Sequence, residues 1–210
     1  MANKNKKSQI HQANQRKIKQ QQYDAATKNL FIFPCITLGL SVIALLSFFA
    51  NFAEVYASGV GVETGVSGWS FIIAAITGNY TSPSAVYGDL AVPYYTYAQQ
   101  WCETLSIVAL FAALIALINV VVQIFAIVKK MHLMNAVSAV LSVITVVLLI
   151  VCYAQGLDMK NGEILSVFCG GNPICSIKSY AIVPAIIFIG AAAVSVVATV
   201  KHVQASSLLK

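Results

Sequence analysis

The sequence predicts an all-α membrane protein. It reads as a four-helix transmembrane bundle with both termini cytoplasmic and a large outer loop, with room there for a short β-hairpin and a re-entrant or interfacial segment. Three observations carry that expectation. Of the 210 residues, 59% are hydrophobic and only 10% are charged, against about 25% charged in soluble domains. Four apolar runs, 30–53, 104–128, 133–154 and 180–200, contain no Asp, Glu, Lys or Arg, and each meets the roughly 20 helical residues that a hydrocarbon core of about 30 Å requires. Lastly, Lys and Arg fall on one side of that pattern, the mark of cytoplasmic flanks.

The tail 1–29, MANKNKKSQIHQANQRKIKQQQYDAATKN, is basic and Gln-rich with almost nothing to bury. A segment of that composition is expected to stay disordered or to form at most a loose surface helix. Its charges set topology during insertion or attach the tail to anionic lipid, at about 1 kcal/mol per basic residue near the surface. Nucleic acid is not expected as a partner, since Tyr23 alone offers no stacking platform.

The first span, 30–53, opens a membrane domain covering 30–202. Outer loop 54–103 follows. Val60, Val62, Thr64 and Val66 alternate there at period two, which suggests a short strand or hairpin. The stretch WSFIIAAITG is apolar but too short to cross. It suits an interfacial or re-entrant segment, or a strand packed on the helix tops. Trp69, Tyr94, Tyr95, Tyr97 and Trp101 are candidate interfacial or binding aromatics, because such rings gather at headgroups and also at binding surfaces.

The second span, 104–128, carries Asn119 and Gln123 one turn apart on one face. These amides are read as interhelical hydrogen-bonding groups, or else as the lining of a route. The inner turn 129–132 is tight, so the second and third spans are antiparallel neighbours. Small residues recur four apart as Ala112/Ala116, Ser138/Ser142, Ala181/Ala185 and Ala191/Ser195, a spacing that lets helices approach closely in lipid. The third span is 133–154, the second outer loop 155–179, the fourth span 180–200, and 203–210 a short cytoplasmic tail.

The Lys/Arg count orients the whole. Eleven of the thirteen basic residues and one acid, Asp24, fall in the tails and the inner turn, whereas only Lys160 and Lys178, with six acids, lie in the two outer loops.

The stretch CGGNPIC, Cys169 to Cys175, lies in the second outer loop, where Gly-Gly and Asn-Pro favour a turn. Structural zinc wants four ligands at closer pair spacing, and redox pairs are typically C-x-x-C. Cys169–Cys175 is therefore expected to be a structural disulfide contributing roughly 2 kcal/mol. Cys102 and Cys152 also fall near the outer surface and are open as a second pair. Cys35, near the inner end, is expected to be a free thiol.

Enzymatic activity is not expected. GVSG, Gly65 to Gly68, superficially matches an intramembrane serine-protease motif, but Ser67 lies in an outer loop and His11, His132 and His202 are at the other side. No span holds an ionisable acid or base for a proton relay. No metal or cofactor motif is present in the sequence.

The loop order resembles that of claudin-type four-helix proteins. Their first-loop motif, G-L-W followed by two cysteines, is represented only by Gly68-Trp69 and Cys102, so the likeness is one of topology. The start MANKNKKS and the stretch VSGWSFIIAAITG are more similar to small four-helix membrane proteins of Gram-positive bacteria, a resemblance that implies no activity. The expectation is a non-enzymatic polytopic protein of the plasma membrane, a scaffold or accessory subunit. It would display a disulfide-stapled outer face to another membrane protein, to an extracellular partner or to a second copy of itself. The alternative is a small oligomeric channel or transporter component with Asn119 and Gln123 lining the route.

Overall fold

The computed structural model describes residues 2–57, 62–78, 92–160, 175–207 and 209, with side chains described for 14–53, 67–78, 103–155, 177–207 and 209. Six helices and three strands follow in chain order among them: α1 Ala2–Thr27, α2 Ile32–Leu46, β1 Asn51–Ala57, β2 Val62–Ser67, α3 Gly68–Thr77, α4 Val92–Lys129, α5 Leu133–Lys160, β3 Cys175–Ile177 and α6 Val183–Ser207. Short 3-10 turns extend α2 through Ser47–Phe49 and precede α6 at Ser179–Ile182.

Four helical stretches are long and apolar enough to cross a membrane: Asn14–Phe49, Glu103–Lys129, Leu133–Gln155 and Ser179–Ser207. They close into a ring, α2 against α4, α4 against α5, α5 against α6 and α6 back against α2. Burial in this ring is the inverse of a soluble bundle. Phe111, Val140, Ile186 and many other large apolar side chains point outward, while Ala112, Ala116, Ser138, Ser142, Ala185, Ala191 and Ser195 are buried between helices. Lipid tails are as apolar as Leu, so helices gain by close approach over small residues rather than by hiding large ones. These features make the chain a polytopic membrane protein.

Several helix ends have a local cause. Lys129 ends α4, and Lys130 adopts a left-handed φ of 52° that turns the chain into α5. Pro184 sits at the second position of α6, where a missing amide proton costs little. Ser67 caps α3 by accepting from the Ser70 amide at 3.2 Å. Gly78, with φ 67°, closes α3 with its amide on the Ala74 carbonyl at 2.9 Å.

Several element boundaries differ from the sequence expectation. The apolar run predicts a first span reaching residue 53, but the helix stops by Phe49 and residues 51–53 start β1. Apolar residues such as Phe52 and Ala53 satisfy a strand as well as a helix, so hydropathy alone does not mark the switch. α4 begins at Val92, inside the expected outer loop, and α5 runs to Lys160 instead of 154. WSFIIAAITG is helical, not a strand. The tail expected to be disordered or loosely helical is helical from Ala2 to Thr27. Its Lys, Gln, Arg and Ala are good helix formers, with no Gly or Pro to interrupt them, and Gln20 bonds Asp24 one turn on at 3.1 Å.

The strands form one antiparallel sheet in the order β2-β1-β3. Ala57 pairs with Val62 and Ala53 with Val66, with an irregularity between Asn51 and Ala53. On the other edge, Ala53, Glu54 and Val55 pair with Ile177, Ser176 and Cys175. The Lys178 amide continues the ladder onto the Phe52 carbonyl at 2.8 Å. Sheet and α3 cap one end of the ring through a shared core of Phe48, Phe52, Phe71, Ile72, Leu105 and Ile177. Lys129, Lys130, Lys201 and the two histidines His132 and His202 mark the opposite, basic end.

Candidate functional site

The described residues place no group of three or more His, Cys, Asp or Glu together as a metal set. What they do bring together is a polar centre inside the ring. Thr37, Ser41, Asn119, Gln123, Asn135, Ser138, Ser142 and Ser195 are all buried, and every one of the four crossing helices contributes.

Asn119 organises the first layer. Its Nδ2 donates to Ser142 Oγ on α5 at 3.0 Å and to Ser41 Oγ on α2 at 3.3 Å, so both amide protons are used and three helices are tied. One turn toward the basic end, Ser195 Oγ of α6 donates to Ser138 Oγ of α5 at 3.3 Å. Thr37 Oγ1 of α2 lies 3.3 Å from the same Ser195 Oγ. Thr37 also bonds the Phe33 carbonyl on its own helix at 3.1 Å. Small hydroxyls thus serve twice, as close-packing residues and as hydrogen-bonding partners.

Gln123 lies one turn from Asn119 on the same face, and it too is buried. Neither Gln123 Oε1 nor Nε2 has a hydrogen-bond partner among the described residues, and the same holds for both polar atoms of Asn135 and for Asn119 Oδ1. Toward the sheet end the interior changes character. Ala112, Ala116, Phe188, Leu105 and Phe48 fill most of it, each between 0 and 1% exposed, with the small polar residues Ser106 and Thr145 also buried.

At the basic end, His132 and His202 stack with ring centroids 4.5 Å apart and planes 26° from parallel. Partial burial, and secondarily the charge of His202, lower the pKa of His132 below its ordinary 6.5. Lys201 Nζ sits 5.3 Å over the Phe33 ring, within cation–π range. At the sheet end, Trp69 packs on Phe49 at 5.3 Å and on Phe48 at 6.5 Å between ring centroids.

Of the residues singled out in the sequence, Asn119 and Gln123 fall in the polar centre and Trp69 in the aromatic cap. Tyr94, Tyr95, Tyr97, Trp101 and Cys102 lie on α4 with their side chains outside the described set. Cys175 begins β3, opposite Val55, while Cys169 lies outside the described residues, and with it the Cys169–Cys175 bridge. Cys152 is a free, half-buried thiol whose Sγ faces the Leu105 carbonyl at 3.9 Å. The second pair left open between Cys102 and Cys152 is therefore not formed here. Cys35 is free and exposed.

Asn135, Thr37 and Ser41 are members of the centre that sequence reasoning passed over. Asn135 had a signal, since it stands as the lone amide in the 133–154 run. Compared with known proteins, the chain matches no family model, no curated protein and no solved structure.

Proposed function

We propose that this polytopic membrane protein is a non-enzymatic scaffold or accessory subunit. It presents an ordered extramembrane face, the sheet with α3, to another membrane protein, an extracellular partner or a second copy. The observation that carries the reading is the continuity of the core from bundle to sheet. Phe48, Phe52, Phe71, Ile72, Leu105 and Ile177 form one cluster, so the cap is held rigidly on the helices. A rigid platform gives a partner a surface without an ordering cost. The unequal distribution of Lys and Arg supports an orientation with both termini cytoplasmic and the sheet outside, in the plasma membrane. The basic α1 is then placed to lie against anionic lipid.

The rival, a channel or transporter component with Asn119 and Gln123 along a route, finds less support. Asn119 spends its amide protons within its own bundle. A path beyond it through the same bundle would have to pass Phe48, Leu105 and Phe188, all buried.

The test is photocrosslinking in native membranes from Ile76 of α3, which is 69% exposed, with reconstitution in parallel. A discrete adduct to one protein and no solute flux from proteoliposomes of the chain alone are expected. Adducts to lipid only, or flux abolished by Asn119→Leu with Gln123→Leu, would overturn the reading.

A further inference from the structure

Asn119, Gln123 and Asn135 lie in one stretch of the bundle, and the register shows how. Asn119 of α4 bonds Ser142 of α5, and the two helices are antiparallel across the Lys130 turn. One turn toward the basic end therefore brings Gln123 level with Ser138. Ser138 is linked through Ser195 to Thr37, so that level carries one polar side chain from each crossing helix. Asn135 lies a further three residues along α5 on the same side. His202, two turns from Ser195 along α6, continues the face to the basic end, and its Nδ1 is buried without a partner among the described residues.

Five amide atoms in this stretch are buried with unused hydrogen-bonding capacity: the oxygens of Asn119, Gln123 and Asn135, and the nitrogens of Gln123 and Asn135. Buried polar groups in folded proteins are almost always paired with protein or with ordered water. In a bilayer no alternative solvent is at hand. The chemistry of the five atoms then selects the guest. Three acceptors and two donors, all neutral, demand a partner that both donates and accepts. A bare cation would satisfy the oxygens and leave the NH2 groups facing positive charge. An anion would do the reverse. No Asp, Glu, Lys or Arg lies within the span segments 104–128 and 133–154 to balance either one.

We propose that the basic-end half of the bundle is a hydrated site in which Asn119, Gln123 and Asn135 bind a small cluster of water molecules. The cluster is closed toward the sheet by Phe188, Leu105 and Phe48, and is connected through His202 to the basic end. The site is a blind inlet, not a passage, and it does not rest on the scaffold reading. It keeps the interior of the basic-end half polar, whereas the sheet-end half is packed mainly with alanine and aromatic side chains.

Water-edited solid-state NMR on the whole protein in lipid bilayers tests this directly, with the side-chain amides of Asn and Gln labelled with nitrogen-15. Gln123→Leu and Asn135→Leu samples assign the signals by their loss. Rapid transfer of water magnetisation to the Gln123 and Asn135 NH2 groups is expected. The transfer should be unaffected by replacing sodium and potassium with a bulky organic cation. The melting temperature offers an independent readout on the same variants. Leucine at either position should leave it unchanged or lower it, because a solvated amide is being removed. Absence of transfer to both amides overturns the proposal, as does a rise of several degrees with both leucines, the signature of dry, unpaired groups. Amide shifts that follow the identity of the alkali cation overturn it in favour of an ion.

Discussion

Asn119 on α4 and Ser142 on α5 share a 3.0 Å hydrogen bond between two antiparallel helices inside the bundle. The same amide reaches Ser41 on α2 at 3.3 Å, so one side chain sets the spacing of three helices. Interhelical bonds of this kind contribute about 0.6 kcal/mol on average, with a ceiling near 1.7 kcal/mol. Asn119→Ala and Ser142→Ala in a double-mutant cycle should therefore show a coupling of about 0.6 kcal/mol. The measurement is reversible unfolding in mixed micelles. A coupling of zero would mean that the contact is geometric only.

Gly68, at the start of α3, leaves no room for a side chain. A Cβ placed there would lie 2.7 Å from one Phe52 ring carbon and 3.0 Å from Phe48. Both rings are buried and pack on each other with centroids 5.2 Å apart, so neither can swing away freely. Gly68→Ala should destabilise by about 1–3 kcal/mol, the usual cost of overpacking. Phe52→Leu in the same chain should recover part of that loss by opening room. Thermal unfolding of the single and double variants checks both statements, and an alanine variant as stable as the parent would contradict the packing.

How much of this was readable beforehand depends on what kind of force each feature answers to. The four crossing segments were legible because a run without charge, long enough for the bilayer, has few other fates. The alanines and serines at spacing four were legible as packing positions, and Ala112, Ala116, Ser138 and Ser142 are all buried. That Ser138 and Ser142 also bond Ser195 and Asn119 was not, because a partner on another helix leaves no trace in local spacing. Phe52 and Ala53 fit a helix by hydropathy but belong to a strand, since the pairing of Ala53 with Val66 and Ile177 is decided by residues far along the chain. The polar, aromatic start of α4 at Val92 carries no apolar periodicity, and so it read as loop.

His132 and His202 give the basic end a dependence on pH. Their rings stack at 4.5 Å; His132 follows Lys129 and Lys130 in the turn, and Lys201 directly precedes His202 on α6. Burial first, and the charge of His202 second, lower the pKa of His132 below 6.5. A base whose folded pKa is depressed holds fewer protons folded than unfolded. Its contribution is complete above the unfolded value near 6.5 and is lost as the pH falls through the lowered folded value. The melting temperature should therefore drop on acidification from pH 8 to pH 5. In His132→Phe, which keeps a ring for the stack, the drop should be smaller. Identical profiles for the two proteins would sever the link to His132.

Cysteine chemistry separates the thiols by environment. Cys152 is free, half-buried and turned toward the Leu105 carbonyl, and Cys35 is free on the exposed side of α2. Both should be alkylated in unfolded protein without reductant. Cys175 is different, since it starts β3 and is paired across to Val55 at the edge of the sheet. A bridge from Cys169 would anchor the turn-forming Gly170, Gly171, Asn172 and Pro173 to that edge. Non-reducing peptide mapping should find Cys169 and Cys175 protected and linked, with Cys152 outside any bridge. Loss of the bridge in Cys175→Ser should cost roughly 2 kcal/mol for so small a loop. It should be felt first at β3, whose three residues have few ladder bonds to spare. Hydrogen exchange at Ser176 and Ile177 is the sensitive reading, because local opening precedes global unfolding. Faster exchange there, with the α4 and α5 amides unchanged, would place the clasp on the sheet and not on the bundle. Alkylation of both Cys169 and Cys175 in the untreated protein would remove it.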